Sequence, residues 1–225
     1  EIKNSTGISR GKNDKIDATK LCMLLRNGSL KEVFHTTDEL YKLRKLVSVY
    51  EDLVNASVRM KNQRSSMFLS EGKDHKKERI LTGNTINKFI TEKQNLSIDH
   101  FALMRKEFEL IFQKIKKENQ TIQRLVKISG IAEKLAVTIL AVVVDANRFE
   151  SKYKYYAYCG LVKHFKKSGD RDYGKRNTRH SRRLKRCYKI AANAAICGNN
   201  DIREYYEYLI QNNYSYEDAR NQIAR

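Results

Sequence analysis

Apolar residues recur three and four positions apart along most of the chain, the spacing of helices with one buried face. Ile16, Leu21, Leu24 and Leu25 mark a short helix that Asn27-Gly28 stops. A second helix is predicted from Thr37-Asp38 to about Ser70. Its positions Leu40, Leu43, Val47, Tyr50 and Val54 alternate as in a coiled-coil seam, and Leu46, Val49, Leu53, Ala56 and Met60 widen the stripe. A third is predicted from about Ile98 to Val126, through Phe101, Met104, Phe108, Ile111, Ile115, Ile122 and Leu125, with an interruption at Glu118. The charged stretch Gly72 to Gly83 between them reads as an exposed crossover, so the two long helices form an antiparallel hairpin. A spacer and a dimerisation arm are both open to it.

Lys127 to Ala132 breaks the pattern around Gly130, and Glu133 to Val144 is apolar enough to be a buried helix. Helix, glycine turn and helix could present turn amides to a DNA phosphate, or be a plain interhelical turn. The longest apolar run, Leu135 to Val144, is too short to span a bilayer. Tyr153, Tyr155, Tyr156 and Tyr158 follow, as half-buried helix residues or as stacking partners for bases. Leu161 to Lys175 is expected to be a short β-hairpin turning at Ser168-Gly169. From His180 to Gly198 a helix begins basic and ends small and apolar at Ala191, Ala192, Ala194 and Ala195, which permits close helix packing. Two short helices complete the chain, the last opened by a capping pattern at Ser215-Tyr216-Glu217-Asp218. With no proline, the helices can run long.

Charge changes this from a helical protein to one with a polyanionic partner. Lys and Arg number 45 against 26 Asp and Glu, a net +19. Twelve of those bases and only two acids lie between Leu161 and Ile190. Lysines and arginines that neutralise phosphates release counterions, so binding should be tight and salt-sensitive. An anionic membrane is the weaker alternative, since no basic helix has a continuous apolar face. The candidate interface comprises Lys163, Lys166, Lys167, Arg171, Lys175, Arg176, Arg179, Arg182, Arg183, Lys185 and Arg186. Ser168 sits inside it, as a turn residue or as a hydroxyl that attacks phosphorus. Asp14 and Asp17, three apart, share one helix face. They could hold a magnesium ion or cap the helix start. Cys22, Cys159, Cys187 and Cys197 lack metal-ligand spacing and read as reduced thiols, mostly packing residues.

Two groups of residues carry a resemblance. Gly11-Lys12-Asn13-Asp14-Lys15-Ile16-Asp17-Ala18 resembles the segment ending the RuvC-like domain of insertion-sequence-110 transposases, a family that includes the Piv-type DNA invertases. Ile128-Ser129-Gly130-Ile131, Arg148-Phe149, Tyr158-Cys159-Gly160-Leu161, Ser168-Gly169 and the basic stretch to Ala191-Ala192 resemble its C-terminal transposase domain. Ser129 and Ala132 depart from the proline and glycine frequent in the family. The resemblance implies a mainly α protein in three parts. These are the C-terminal edge of a RuvC-like (ribonuclease-H-like) domain over 1–36, a long antiparallel coiled-coil hairpin over 37–126, and a mostly helical transposase domain with a short serine-bearing β-hairpin over 127–225.

The family uses four acids, Asp-Glu-Asp-Asp, and Asp14 and Asp17 match the last two. The first two would lie upstream, so the chain reads as N-terminally incomplete, with a linker over Glu1 to Gly11. Ser168 matches the family's serine. The implied activity is DNA transposition through Ser168, with Mg2+ on Asp14 and Asp17, DNA and a guide RNA as partners, a dimer or tetramer joined through the coiled coil, and a bacterial cytoplasmic, nucleoid-associated location. Lacking two acids, this chain is expected to bind nucleic acid without cutting it. Two other readings stay open. One is a non-catalytic DNA- or RNA-binding scaffold. The other is a tyrosine recombinase, from His180-Ser181-Arg182-Arg183 with Tyr205, Tyr206, Tyr208 and Tyr214 downstream.

Overall fold

The computed structural model describes residues 14–30, 38–169, 171–177 and 179–225; the side chains of 38, 166–168 and 175–177 lie outside that set. The expected linker over Glu1 to Gly11 and the helix start at Thr37 also fall outside the described residues. The chain divides into two units, up to Thr37 and from Asp38 onward. Among the described residues the fold is mainly helical, with one two-stranded sheet.

The first unit contributes α1, Asp14–Arg26. It ends as its sequence predicts. Gly28 takes φ +63, and Gly28 N–H and Ser29 N–H donate to the carbonyls of Leu25 and Leu24, the paired closure glycine makes easy.

The second unit opens with α2, Asp38–Ser70, and α3, Thr85–Glu118. At the helical rise the 34 residues of α3 reach about 50 Å. The helices are antiparallel: Tyr50 packs edge-on against Phe108 and Phe112, while Arg64 and Ser65, further along α2, lie near Asn95, Ile98 and Asp99. The third predicted helix is corrected at both ends. It starts at Thr85, where Asn84 accepts from Ile86 N–H, so polar residues before Ile98 are helical too. It stops at Glu118, because Asn119 is extended and its side chain caps a separate short helix, α4, Gln120–Val126. The crossover is not simply exposed. Leu81 is buried with its N–H on Thr91 Oγ1, and Arg64 Nη2 donates to the carbonyls of Glu78 and Arg79.

The core forms around α5, Glu133–Val143, in which every residue from Leu135 to Val143 is buried. A helix apolar on all sides must be surrounded. α2, α3 and α4 pack on it, as does α7 (Arg182–Cys197). Arg44 Nε of α2 donates to the Ala141 carbonyl, and Lys116 of α3 pairs with Glu133 at 2.8 Å. That lysine holds the Glu133 carboxyl below the usual range. α5 ends in a γ-turn: Val144 has φ 66 and ψ −71, and Asp145 N–H donates to Val143 O. Such a conformation strains a β-branched residue.

A 3-10 turn, Ala146–Arg148, and α6, Lys152–Tyr158, lead into β1, Lys163–Ser168, and β2, Arg171–Asn177. α7, α8 (Asp201–Gln211) and α9 (Tyr216–Ile223) close the chain. Leu184, Cys187, Ala191, Ala192 and Ala195 form the buried face of α7. The predicted cap on α9 is present, with Ser215 Oγ accepting from Asp218 N–H. No described helix is long and apolar enough to cross a membrane.

Candidate functional site

The hairpin that bears Ser168 is local in sequence and held at its root. β1 and β2 pair antiparallel with Ser168 opposite Arg171. Gly169 takes φ +58, a left-handed value that glycine adopts at little cost in hairpin turns. The register slips between Phe165 and Lys167. There Gly174 takes φ +75 and donates its N–H to Asp172 Oδ1, a bulge that sharpens the local twist. The described side chains of Lys163, His164, Phe165, Arg171, Asp172 and Tyr173 are all exposed. The backbone of Ser168 is placed, while its side chain and those of Lys166, Lys167, Lys175 and Arg176 lie outside the described residues.

The root is built from motif residues. α6 ends at Gly160, φ +69, with Leu161 N–H on Tyr156 O. A Cβ on Gly160 would sit 2.3 Å from the His180 ring, so the glycine lets the two ends of the hairpin segment meet. Ser181 N–H donates to Tyr158 O, and Arg225 Nε donates to Leu161 O. Beneath, Arg148 lies over the Phe149 and Tyr158 rings, and the Tyr155 and Tyr188 hydroxyls share a hydrogen bond. Of the four clustered tyrosines, Tyr155, Tyr156 and Tyr158 are half-buried and Tyr153 is exposed. Cys159 and Cys187 are buried, and burial pushes both thiols up to about 11. Cys22 and Cys197 are exposed, so only half the cysteines are packing residues.

α7 carries the basic face. Ser181 caps it by accepting from Leu184 N–H, and its first turn holds Arg182 and Arg183 and no acid. α8 and α9 begin instead with Asp201 and Glu204, and with Glu217 and Asp218. Cations at the positive end of a helix are unfavourable, and an anion there is favoured. Arg182, Lys185, Arg186, Lys189, Ile190 and Asn193 line one shallow groove. Arg171, Arg179, Arg182 and Lys163 are exposed. Arg183 and Arg186 are engaged by their own chain. Glu51 of α2 accepts from Arg183 at 2.7 Å and from Arg186 at 2.8 Å, and Arg183 also donates to Ser48. Sequence reasoning missed Glu51; the signal is an acid beside Tyr50, amid the apolar seam. Arg183 is also the arginine of the H-x-x-R pattern that begins at His180.

Lys185 is partly buried, and its pKa is lowered by that burial and then by Lys189 and Lys163. A lowered lysine pKa means its charge opposes folding at neutral pH, a penalty that fades only as pH rises toward the ordinary lysine range. Lys185→Gln is therefore expected to leave the melting temperature unchanged or raised. It should weaken nucleic-acid binding and reduce the slope of log affinity against log salt by about one. Titrations at several salt concentrations check this; a lower melting temperature with an unchanged slope would make Lys185 structural.

Asp14 and Asp17 occupy the first turn of α1, Asp14 exposed and Asp17 half-buried. Two carboxylates at this spacing, about 5–6 Å apart at Cβ, are the hard oxygen donors magnesium prefers. Among the described residues no group of three His, Cys, Asp or Glu side chains gathers. Asp14 and Asp17 belong to the first unit, and the hairpin and basic face to the second.

Two family models match the chain, one in each half of the sequence. A transposase model of the DEDD, insertion-sequence-110 type matches residues 2–71, which include α1 and all of α2. A second, described as Transposase IS116/IS110/IS902 family, matches 122–207, which include the core helix, the hairpin and the basic face. No curated protein matches the chain. The two models, both of the insertion-sequence-110 type, match in order across more than half of the sequence. The chain belongs to the IS110 family of transposases, enzymes that cut and rejoin DNA.

Proposed function

We propose that this transposase recombines DNA through a covalent phosphoserine at Ser168, at a structured RNA's direction, as a homo-oligomer. The observation that carries the reading is the anchored hairpin. It sets the backbone of Ser168 opposite Arg171, beside the exposed Gly169, on a hairpin followed in sequence by a helix whose positive end is lined with arginine.

In the proposed reaction the Ser168 hydroxyl attacks a phosphodiester. The Oγ–P bond forms, the P–O3′ bond breaks, the serine proton passes to a base and the 3′ hydroxyl leaves. A 3′ hydroxyl of another strand then reverses the step, so the ester stores the bond energy and no nucleotide cofactor is consumed. Lys166, Lys167 and Arg171 neutralise the phosphate charge as it grows. Arg179, Arg182, Lys185 and Lys163 hold the polyanion's backbone. Asp14 and Asp17, with further carboxylates, would hold a magnesium ion that stabilises charge on the attacking or leaving oxygen. A serine hydroxyl is a weak nucleophile at neutral pH, so the carboxylate cluster has to be brought to it. Because the acids and the serine lie in separate units, the two halves of the site can come from different protomers. Arg183 and Arg186 buttress the basic helix on α2, and their contribution to nucleic-acid binding passes through the Glu51 pair.

A protein supplying all four acids, given magnesium, element-end DNA and the element's RNA, should yield a protein–DNA adduct that survives denaturation. After trypsin the DNA should remain on the peptide Ser168-Gly169-Asp170-Arg171. An adduct on a tyrosine peptide overturns the proposal.

A further inference from the structure

Four large apolar side chains stand on the outer face of α3 at strict seven-residue spacing. Phe89, Leu96, Leu103 and Leu110 are 58%, 65%, 60% and 59% exposed. The seam against α2 runs on another face, through Met104, Phe108, Phe112 and Ile115. Seven residues are two helical turns less about 20°, so the four form one nearly straight line over about 32 Å. Single exposed leucines are ordinary, whereas a continuous line of them marks a contact surface.

The charges flanking the line have an internal symmetry. One flank reads Glu92, Asp99, Lys106 and the other Lys93, His100, Glu107, all exposed. Each flank therefore changes sign from one end to the other. Among the described residues, Glu92, Lys106 and Glu107 have no ion-pair partner in their own chain, and Lys93 lies over the Phe89 ring.

We propose that this face docks against the same face of a second copy, α3 against α3, antiparallel about a two-fold axis at Asp99 and His100. The proposal rests on the homo-oligomer reading above and names its surface. A two-fold contact is self-complementary. The axis sets Phe89 opposite the partner's Leu110 and Leu96 opposite the partner's Leu103. On one flank Glu92 meets the partner's Lys106; on the other Lys93 meets the partner's Glu107. Repeated by symmetry, all four outer pairings are of opposite sign. At the axis Asp99 is already paired with Arg79 of its own chain, which offsets the approach of two aspartates. A parallel pairing also matches the flanks, through Glu92 with the partner's Lys93, but it brings the two basic C-terminal regions side by side. With twelve bases between Leu161 and Ile190, that arrangement is repulsive, and the antiparallel one separates those regions along the hairpin.

Sedimentation of the 225-residue chain over a range of concentrations tests this. The wild type should dimerise, and Leu96→Glu/Leu103→Glu should be monomeric with unchanged helix content, since both positions are solvent-facing. Lys93→Glu should weaken the dimer about tenfold by setting like charges together. Adding Glu107→Lys should restore it only in the antiparallel register, because in the parallel one the double swap adds a second repulsion. A dimer indifferent to Leu96→Glu/Leu103→Glu overturns this surface and leaves self-association standing. A wild-type chain that stays monomeric overturns both, and a double swap that stays dissociated overturns the antiparallel register.

Discussion

Gly130→Ala is expected to lower the melting temperature by about 10 °C, more than any surface change in the protein. Gly130 takes φ +87, and a Cβ there would lie 2.1 Å from the Ala191 carbonyl oxygen and 2.9 Å from Ala195 N. Both are backbone atoms of α7, so neither can rotate aside. The left-handed conformation costs alanine about 1 kcal/mol, and forcing a methyl group between packed elements adds about 1–3 kcal/mol. The alternative is for α7 to retreat. That would open its contact with α5 and shift the basic face and the hairpin root with it. Nucleic-acid binding should therefore fall together with stability. Gly169→Ala is the matched control. It also has positive φ, but nothing lies within 4 Å of its added Cβ, so only the conformational cost of about 1 kcal/mol is expected. Thermal unfolding of the two variants side by side measures the difference. Equal losses would mean that α7 does not seat on the turn as described.

Ser168→Ala is expected to abolish the covalent protein–DNA adduct, a loss of at least about 10⁴-fold, while leaving DNA affinity within a factor of about two. The nucleophile's oxygen is the one atom that no neighbour replaces in a phosphoserine mechanism. The turn is described by its backbone. Its geometry comes from Gly169 and from strand pairing at Arg171, so alanine keeps the hairpin and its flanking lysines. Activity and affinity should thus separate. Trapping on a denaturing gel, with binding measured in parallel, checks both. An adduct that persists at wild-type level would move the chemistry to another residue. Loss of binding along with the adduct would instead make Ser168 a structural part of the turn.

Much of this was legible in order along the chain. Three-and-four spacing located the long helices, because that pattern is a local property of a buried stripe. The all-apolar run at Leu135 to Val144 predicted the buried helix, and Gly28, Ser215 and Ser168-Gly169 marked a stop, a cap and a turn through interactions spanning a few residues. The basic stretch and the two spaced motifs pointed to a nucleic-acid enzyme and its family before any fold was known. Boundaries fared less well: α3 begins at Thr85 because Asn84 caps it, although the residues before Ile98 show little apolar periodicity.

The rest depended on pairs far apart in sequence. Arg183 and Arg186 are indistinguishable in sequence from Arg179 and Arg182, yet Glu51, about 135 residues away, holds the first two. Gly130 looked like a turn residue and proved to be the point where α7 comes closest to the turn. The outer line of α3, Phe89 to Leu110, is as apolar as the inner seam. Only the placement of α2 determined which of the two faces is covered and which is left for a partner. Sequence thus determined the elements and the chemistry they carry, since both follow from neighbouring residues. Tertiary structure decided which charges and apolar faces remain available, because availability depends on what the distant chain has already covered.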